Sequence, residues 1–283
     1  MTISVKNSGS WVVPSYIYVK DSGAWKKANQ IWIRQGGVWY QMLTTLAVSS
    51  STSDFNLFTS LGSPTTPITA RIEINSGVTL SSTSTSNPAF SISGFATGSV
   101  IYLVNNGSII GAGGAGGGRV AGTGPAAKFG LPGGAALYTR NTLKLTNNGT
   151  IASGGGGGGG GGRTNRSGQA FDDFTGAGGG GAGAIVGAGG PGIPDNLCST
   201  TGVDGTATNG GAGVGYCSSP ASSEQQIGSV GGAGGNLGQA GSRGEPAPDF
   251  DGTNLGGAAG NAIDGISYTT KTVAGTITGP EVN

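Results

Sequence analysis

The chain has 283 residues, of which 62 are glycine and none is histidine, with 14 basic against 13 acidic side chains. A formal charge of +1 leaves no electrostatic footprint for nucleic acid, and the lack of imidazole removes the commonest metal ligand and proton shuttle, which weighs against an enzyme. No apolar run approaches the roughly 18 residues of a membrane-spanning helix, and Met1-Thr2-Ile3-Ser4-Val5 lacks the basic-then-apolar plan of a secretory signal.

Residues 3–42 carry a 14-residue repeat: Ile3 to Trp11, Ile17 to Trp25 and Ile31 to Trp39 share the pattern Ile-x-Val/Ile-Lys/Arg-x-Ser/Gly-Gly-x-Trp. Each unit alternates apolar and polar residues, turns at Gly9, Gly23 or Gly37 and resumes with Trp, which predicts three β-hairpins. They would set Trp11, Trp25 and Trp39 at equivalent places around a pseudo-threefold axis. A small β-meander with a Trp core is the plainer reading of residues 1–44. The sharper one is a unit that docks one copy of this chain on a homotrimer.

Residues 45–104 are rich in Ser and Thr and carry strand signals, with Ile68, Ala70, Ile72 and Ile74 alternating with polar residues and an apolar run from Val100 to Val104. No 3.6-residue periodicity appears, so almost no α-helix is expected. Only eight of the 62 glycines precede residue 105, which marks the main expected boundary between a β connector and a glycine-rich domain, 105–283. At that boundary Leu103-Val-Asn-Asn-Gly-Ser-Ile109 and Leu145-Thr-Asn-Asn-Gly-Thr-Ile151 repeat 42 residues apart. Each places an Asn-Gly turn ahead of a glycine tract.

Nine consecutive glycines, Gly154 to Gly162, are the centre of that domain. Polyglycine has nothing to bury and loses the most backbone entropy on folding, so it needs neighbours. A left-handed helix of three residues per turn satisfies none of its own backbone groups and must bond laterally to others of its kind. Gly111 to Gly118, Gly176 to Gly183, Gly187 to Gly192, Asn209 to Gly215, Gly231 to Gly241 and Gly256 to Gly260 supply candidates, several with a non-glycine residue every third position, as at Ala233, Asn236 and Gln239. A flexible linker would not carry Ile109, Ile151, Ile185, Val186, Leu237 and Ile263 beside its glycines. The expected fold is mostly non-regular and all-β: hairpin repeats, a β connector and a sandwich of polyglycine II helices.

A bundle that needs glycine inside can display chemistry only on its connections. There lie Lys128, Phe129, Arg163, Arg166, Phe171, Asp172, Asp173, Phe174, Tyr216, Arg243, Asp249, Phe250 and Asp251. The aromatic residues among them are candidate contact anchors or packing against the loop bases. Cys198 and Cys217 fit one disulfide or two free thiols equally well. Gly111-Ala-Gly-Gly-Ala-Gly116 matches a dinucleotide fingerprint in form, but no helix or acidic residue follows where that fold needs them, so no cofactor is expected. No metal site is expected either. Asp172/Asp173 and Asp249/Asp251 could serve as hydrolytic pairs, though solvated loop charges fit them better.

The run from Asn147-Asn148-Gly149-Thr150-Ile151 into nine glycines, followed by alternating glycine tracts and richer loops, resembles the receptor-recognising adhesins at the long tail fibre tip of T-even-type bacteriophages. The resemblance covers about residues 105–283. It implies a sandwich of polyglycine II helices whose loops bind a host outer-membrane protein or lipopolysaccharide. It also implies an N-terminal region docked on a homotrimeric fibre protein, one copy per tip, and a place at the distal end of the virion's tail fibre. A polyglycine II ice-binding protein and a tip-mounted polysaccharide depolymerase are the alternatives.

Overall fold

The computed structural model describes residues 5–7, 10–12, 18–27, 30–35, 38–118, 129–161, 176–191, 201–215, 229–245 and 254–283; within 5–43, side chains are described for 20 and 22–25 alone. Three antiparallel pairings open the chain. β1 (Val5–Asn7) pairs with β2 (Ser10–Val12), β3 (Tyr18–Asp21) with β4 (Ala24–Lys27), and β5 (Gln30–Gln35) with the first part of β6 (Val38–Val48). Their registers repeat as the sequence period demands, with Lys6 opposite Trp11, Lys20 opposite Trp25 and Arg34 opposite Trp39. In the middle hairpin Ser22 and Gly23 both take positive φ, 49° and 85°, the left-handed pair that lets a two-residue turn follow the twist of its strands.

The rest of β6, from Thr44 to Val48, runs parallel to β9 (Thr69–Ile74). A single strand thus joins the last hairpin to everything that follows. Downstream come β7 (Thr52–Ser53), β8 (Phe55–Asn56), β10 (Thr79–Ser81), β11 (Phe90–Ile92), β12 (Val100–Asn105), β13 (Ser108–Ile110), β14 (Leu137–Thr139) and β15 (Thr142–Asn147). β16 (Thr150–Ala152), β17 (Ile263–Asp264), β18 (Thr269–Val273), β19 (Thr276–Thr278) and β20 (Glu281–Val282) complete the set. The described helical structure is one turn at Leu57–Ser60 and a 3-10 turn at Ile266–Tyr268.

Consecutive strands step from one sheet to the next. β6, β9, β12, β15 and β18 form one parallel stack, β7, β10, β13, β16 and β19 a second, and β8, β11, β14, β17 and β20 a third. The chain therefore winds a three-faced β-solenoid in which each set of three strands is one rung. Period-2 alternation explains the winding, because β9 and β12 bury every second residue and a strand with one buried face has its register fixed. Inward positions stack as Leu46, Ile72, Leu103 and Leu145 in one row and Leu80, Ile109 and Ile151 in another, and all but the partly buried Leu46 are fully buried. Each such side chain contributes about 1.5–3 kcal/mol.

Val48 and Ile74 give way in the same row to Asn105 and Asn147, both fully buried. These are the asparagines of the 42-residue repeat. Asn105 Nδ2 donates to Asn147 Oδ1 at 2.7 Å, and Asn147 Nδ2 donates to the Ala274 carbonyl at 2.7 Å. The amide ladder satisfies the corner backbone that a solenoid turn leaves unpaired.

Glycine leaves the solenoid at one corner only, between the second and third faces. Rungs one and two turn that corner within residues 54 and 82–89, whereas rung three makes the excursion 111–136 and rung four the excursion 153–262. The composition change at residue 105 therefore marks the approach to the first excursion and does not end the sheets, which resume at 137–152 and again at 263–282.

The two excursions form a bundle of ten described segments: 111–118, 129–134, 154–161, 176–183, 187–191, 201–206, 210–215, 229–236, 239–245 and 254–260. Their hydrogen bonds run laterally with a period of three. Gly154 and Gly157 donate to 129–134, Gly155, Gly158 and Gly161 to 176–183, and Gly156 and Gly159 to 239–245, all at 2.8–3.0 Å. Their carbonyls accept from 111–118, 229–236 and 254–260, so six neighbours surround the run. That is the lateral, three-residue bonding a polyglycine II packing requires. A Cβ on Gly157 would lie 1.9 Å from the Ala115 carbonyl oxygen, which is why the centre is pure glycine.

A second centre lies beside it. Segment 176–183, expected among the surrounding tracts, has six neighbours of its own: 111–118, 154–161, 187–191, 201–206, 210–215 and 229–236. It carries Gly-Ala-Gly-Gly-Gly-Gly-Ala-Gly and is buried throughout. Ten rods around two centres stack in rows of three, four and three. Two further corrections follow. The tract Gly231 to Gly241 is two segments reversed at Leu237-Gly238, where Gly238 takes φ 71°. Residues 201–206, absent from the tracts that the sequence singles out, are a bundle rod, with Gly202 and Gly205 buried and Val203 and Thr206 outward.

Candidate functional site: one end of the glycine bundle

The direction of each rod decides where its connections emerge. Gly111 donates to Ala152, Ala184 to Gly111, and Gly238 to Ser153, so the turns at 184–186 and 237–238 lie beside the solenoid. Gly183 donates to Thr206, which places the turn at 207–209 there too. At the other end Gly161 donates to Gly176, Gly176 to Ser229, Glu245 to Val230, and Gly244 to Asn254. The intervals 119–128, 162–175, 192–200, 216–228 and 246–253 all begin and end at this far end. Connections of two or three residues face the solenoid; the described residues that flank intervals of eight to fourteen lie at the opposite end.

Of the sequence-predicted contact residues, Phe129 is described, at the root of the 119–128 interval and 53% exposed. Arg243, in the 239–245 rod near that same end, is exposed. Lys128, Arg163, Arg166, Phe171, Asp172, Asp173, Phe174, Tyr216, Asp249, Phe250, Asp251, Cys198 and Cys217 lie outside the described residues. Trp11 and Trp39 are placed by backbone register within their hairpins, and the Trp25 side chain is 69% exposed.

Sequence reasoning missed three residues at the far end. Leu131 and Leu255 are 54% and 52% exposed, on neighbouring rods joined by the bond from Gly130 to the Leu255 carbonyl at 3.1 Å. With Phe129 they are the exposed large apolar residues of these two described rods. The signal was available: both are large apolar residues in rods whose inner positions are glycine. Asn254 is fully buried at the root of the 246–253 interval, and neither its Oδ1 nor its Nδ2 has a partner among the described residues.

A parallel β-solenoid carrying a glycine-centred bundle, with the described flanks of every long interval at the end away from the solenoid, defines a loop-bearing scaffold by its architecture. Residues 43–282 match the family of the phage tail fibre adhesin Gp38, and the chain belongs to that family. It is a tail fibre adhesin, a component of the virion that serves attachment to the host. The fold is also that of a chain in the crystal structure of the gp37-gp38 adhesin tip complex of the bacteriophage S16 long tail fiber, with a TM-score of 0.53 and 24% identity over 84% of this chain and 81% of that one. No curated protein matches.

Proposed function

We propose that the far end of the bundle is the receptor-binding surface, that the ten rods are polyglycine II helices serving as its rigid mount, and that the N-terminal hairpins attach the protein to the fibre. The observation that carries this reading is the sorting of connections: every long one leaves from the end away from the solenoid. Loops concentrated on one face of a stiff support are how binding surfaces are varied without disturbing a core. The contacts would come from Lys128, Phe129, Arg163, Arg166, Phe171, Asp172, Asp173, Phe174, Tyr216, Asp249, Phe250 and Asp251, with Leu131 and Leu255 extending the surface. The receptor would be an outer-membrane protein or lipopolysaccharide, bound without catalysis.

The S16 complex pairs an adhesin with gp37, which supports a tail fibre partner here. Three equivalent Lys/Arg–Trp pairings fit a homotrimer carrying one copy at its tip. The test replaces 162–175 and 246–253, singly and together, with Gly-Ser segments of equal length in the phage. Adsorption should fall at least tenfold while the particle assembles normally. Unchanged adsorption with both intervals replaced would remove the far end as the binding surface. For the attachment end, Trp25→Ala should lower capture by the fibre protein by about 30-fold, as loss of an interfacial Trp anchor does.

A further inference from the structure

An open groove of about 520 Å³ lies where the bundle meets the solenoid, at the end of the rods opposite the flanks of the long intervals. It exists because rung two turns its corner within residues 82–89 while the next two rungs extend into the bundle. That leaves a step between the corner loop and the roots of rods 129–134 and 254–260. Ala89 donates to the Ala135 carbonyl at 3.1 Å and fixes one wall to the other.

The floor is a ladder in register. Ser91 of β11 lies opposite Tyr138 of β14, which lies opposite Asp264 of β17. With strands about 4.8 Å apart, a hydroxyl, a phenol and a carboxylate follow one another over about 10 Å, the span of one or two sugar rings. Ser86 and Asn87 line one wall and Asn261 the other.

Arg140 holds the floor in place. Its Nη2 donates to Asp264 Oδ1 at 2.8 Å, its Nη1 donates to the carbonyls of Thr139 and Asp264, and its guanidinium lies 4.3 Å from the Tyr138 ring centroid. The bond to Asp264 holds the guanidinium's pKa above its ordinary value. Two consequences matter for a ligand. The carboxylate is paired with Arg140, so the groove does not attract cations strongly, and Oδ2 of Asp264 is an acceptor in a lining that also holds the hydroxyls of Thr85, Ser86, Ser91 and Tyr138 and the carboxamides of Asn87 and Asn261.

We propose that this groove is a saccharide subsite that takes one neutral hexose or N-acetylhexosamine unit. Its lining supplies both donors and acceptors on planar, fixed groups, which is what vicinal sugar hydroxyls need. An anion would face the Asp264 carboxylate. An extended peptide would find no strand edge, because these floor strands are already paired on both sides, and an apolar segment would strand the lining polar groups.

The site is separate from the far-end loops, so its test uses free sugars on the full-length protein and not adsorption. Saturation-transfer NMR with glucose, galactose and N-acetylglucosamine at millimolar concentration should show transfer to at least one of them. Ser86→Trp, at an exposed wall position, should abolish the transfer. Asp264→Asn should weaken it about tenfold. Thermal unfolding of both variants checks that the solenoid is intact. Absence of transfer to all three sugars, transfer unchanged in folded Ser86→Trp, or stronger binding of inorganic phosphate than of any sugar would each overturn the proposal.

Discussion

The solenoid and the glycine bundle share one chain and one problem, burying backbone without leaving its polar groups unpaired, and they solve it in opposite ways. In the solenoid, strand ladders pair the backbone and the interior is filled by Ile, Leu and Phe side chains. In the bundle the interior is glycine with few and small exceptions, such as Ala177 and Ala182. Rods lie so close that carbonyl oxygens stand where most glycines would carry a side chain, and cohesion comes from lateral hydrogen bonds, each worth about 1 kcal/mol net. The difference teaches what each region tolerates: the solenoid can lose volume by degrees, whereas the rod from Gly154 to Gly161 cannot accept a single added carbon.

Substitutions sharpen that contrast. The largest effect is expected from Gly157→Ala, whose methyl would overlap the Ala115 carbonyl. Displacing that rod breaks bonds to two neighbours as well, so the loss should be about 4 kcal/mol in chemical denaturation. Gly215→Ala is the matched control, since no described residue lies within 4 Å of its Cβ position; its stability should stay within about 0.5 kcal/mol of the parent. If both glycine variants behaved alike, close packing would not be what the tracts are for. In the solenoid, Leu103→Ala removes a fully buried side chain and should cost about 3 kcal/mol. Asn147→Ala removes the partner of Asn105 and should cost about 2 kcal/mol, chiefly from the buried amide left behind.

The smallest effect is a pH dependence at the corner of the first rung. Burial pushes the Asp54 carboxyl upward, but donation from the Thr83 hydroxyl and backbone and from Asn87 outweighs it, so the group titrates below its ordinary 3.8. A carboxylate depressed in the folded state contributes stability above its unfolded pKa, and that contribution disappears as pH falls through the folded one. Parent and Asp54→Asn should therefore differ at neutral pH and converge as the pH drops below about 4. Denaturation midpoints across that range read it directly; a gap constant with pH would contradict the assignment.

Much of this was written in the sequence. The centrality of Gly154 to Gly162 followed from what polyglycine cannot do alone, and the 14-residue period predicted hairpins whose Lys/Arg–Trp registers repeat. The 42-residue spacing of Leu103 and Leu145 was a solenoid rung pair, already visible in its Asn-Asn-Gly corners. The solenoid as a whole was not legible. Many of its strands have only two or three residues, too short to show alternation, and excursions of unequal length between β13 and β14 and between β16 and β17 hide the rung period. The return of 263–282 to the sheets has only its β-branched residues, Thr269 to Val273 and Thr276 to Thr278, as local signal, and nothing in them names the partner strands.

The bundle's plan was half legible for a related reason. A three-residue period says which face of a rod points inward, but not which rod lies beside it. Segment 176–183 became a second centre through neighbours that only the folded chain brings together. For the far end, sequence placed the richer residues on connections, yet the common direction of those connections depends on counting every rod, including 201–206 with its modest glycine content.

The central claim is that the glycine rods form a cooperative, bonded core as firm as the solenoid. Native-state amide exchange measures it directly. The amides of Gly154 to Gly159 and Gly178 to Gly181 each donate one lateral bond, and they should exchange as slowly as those of Ile101, Leu103 and Leu145. Exchange of those glycines at the rate of free chain, with the solenoid still protected, would contradict it.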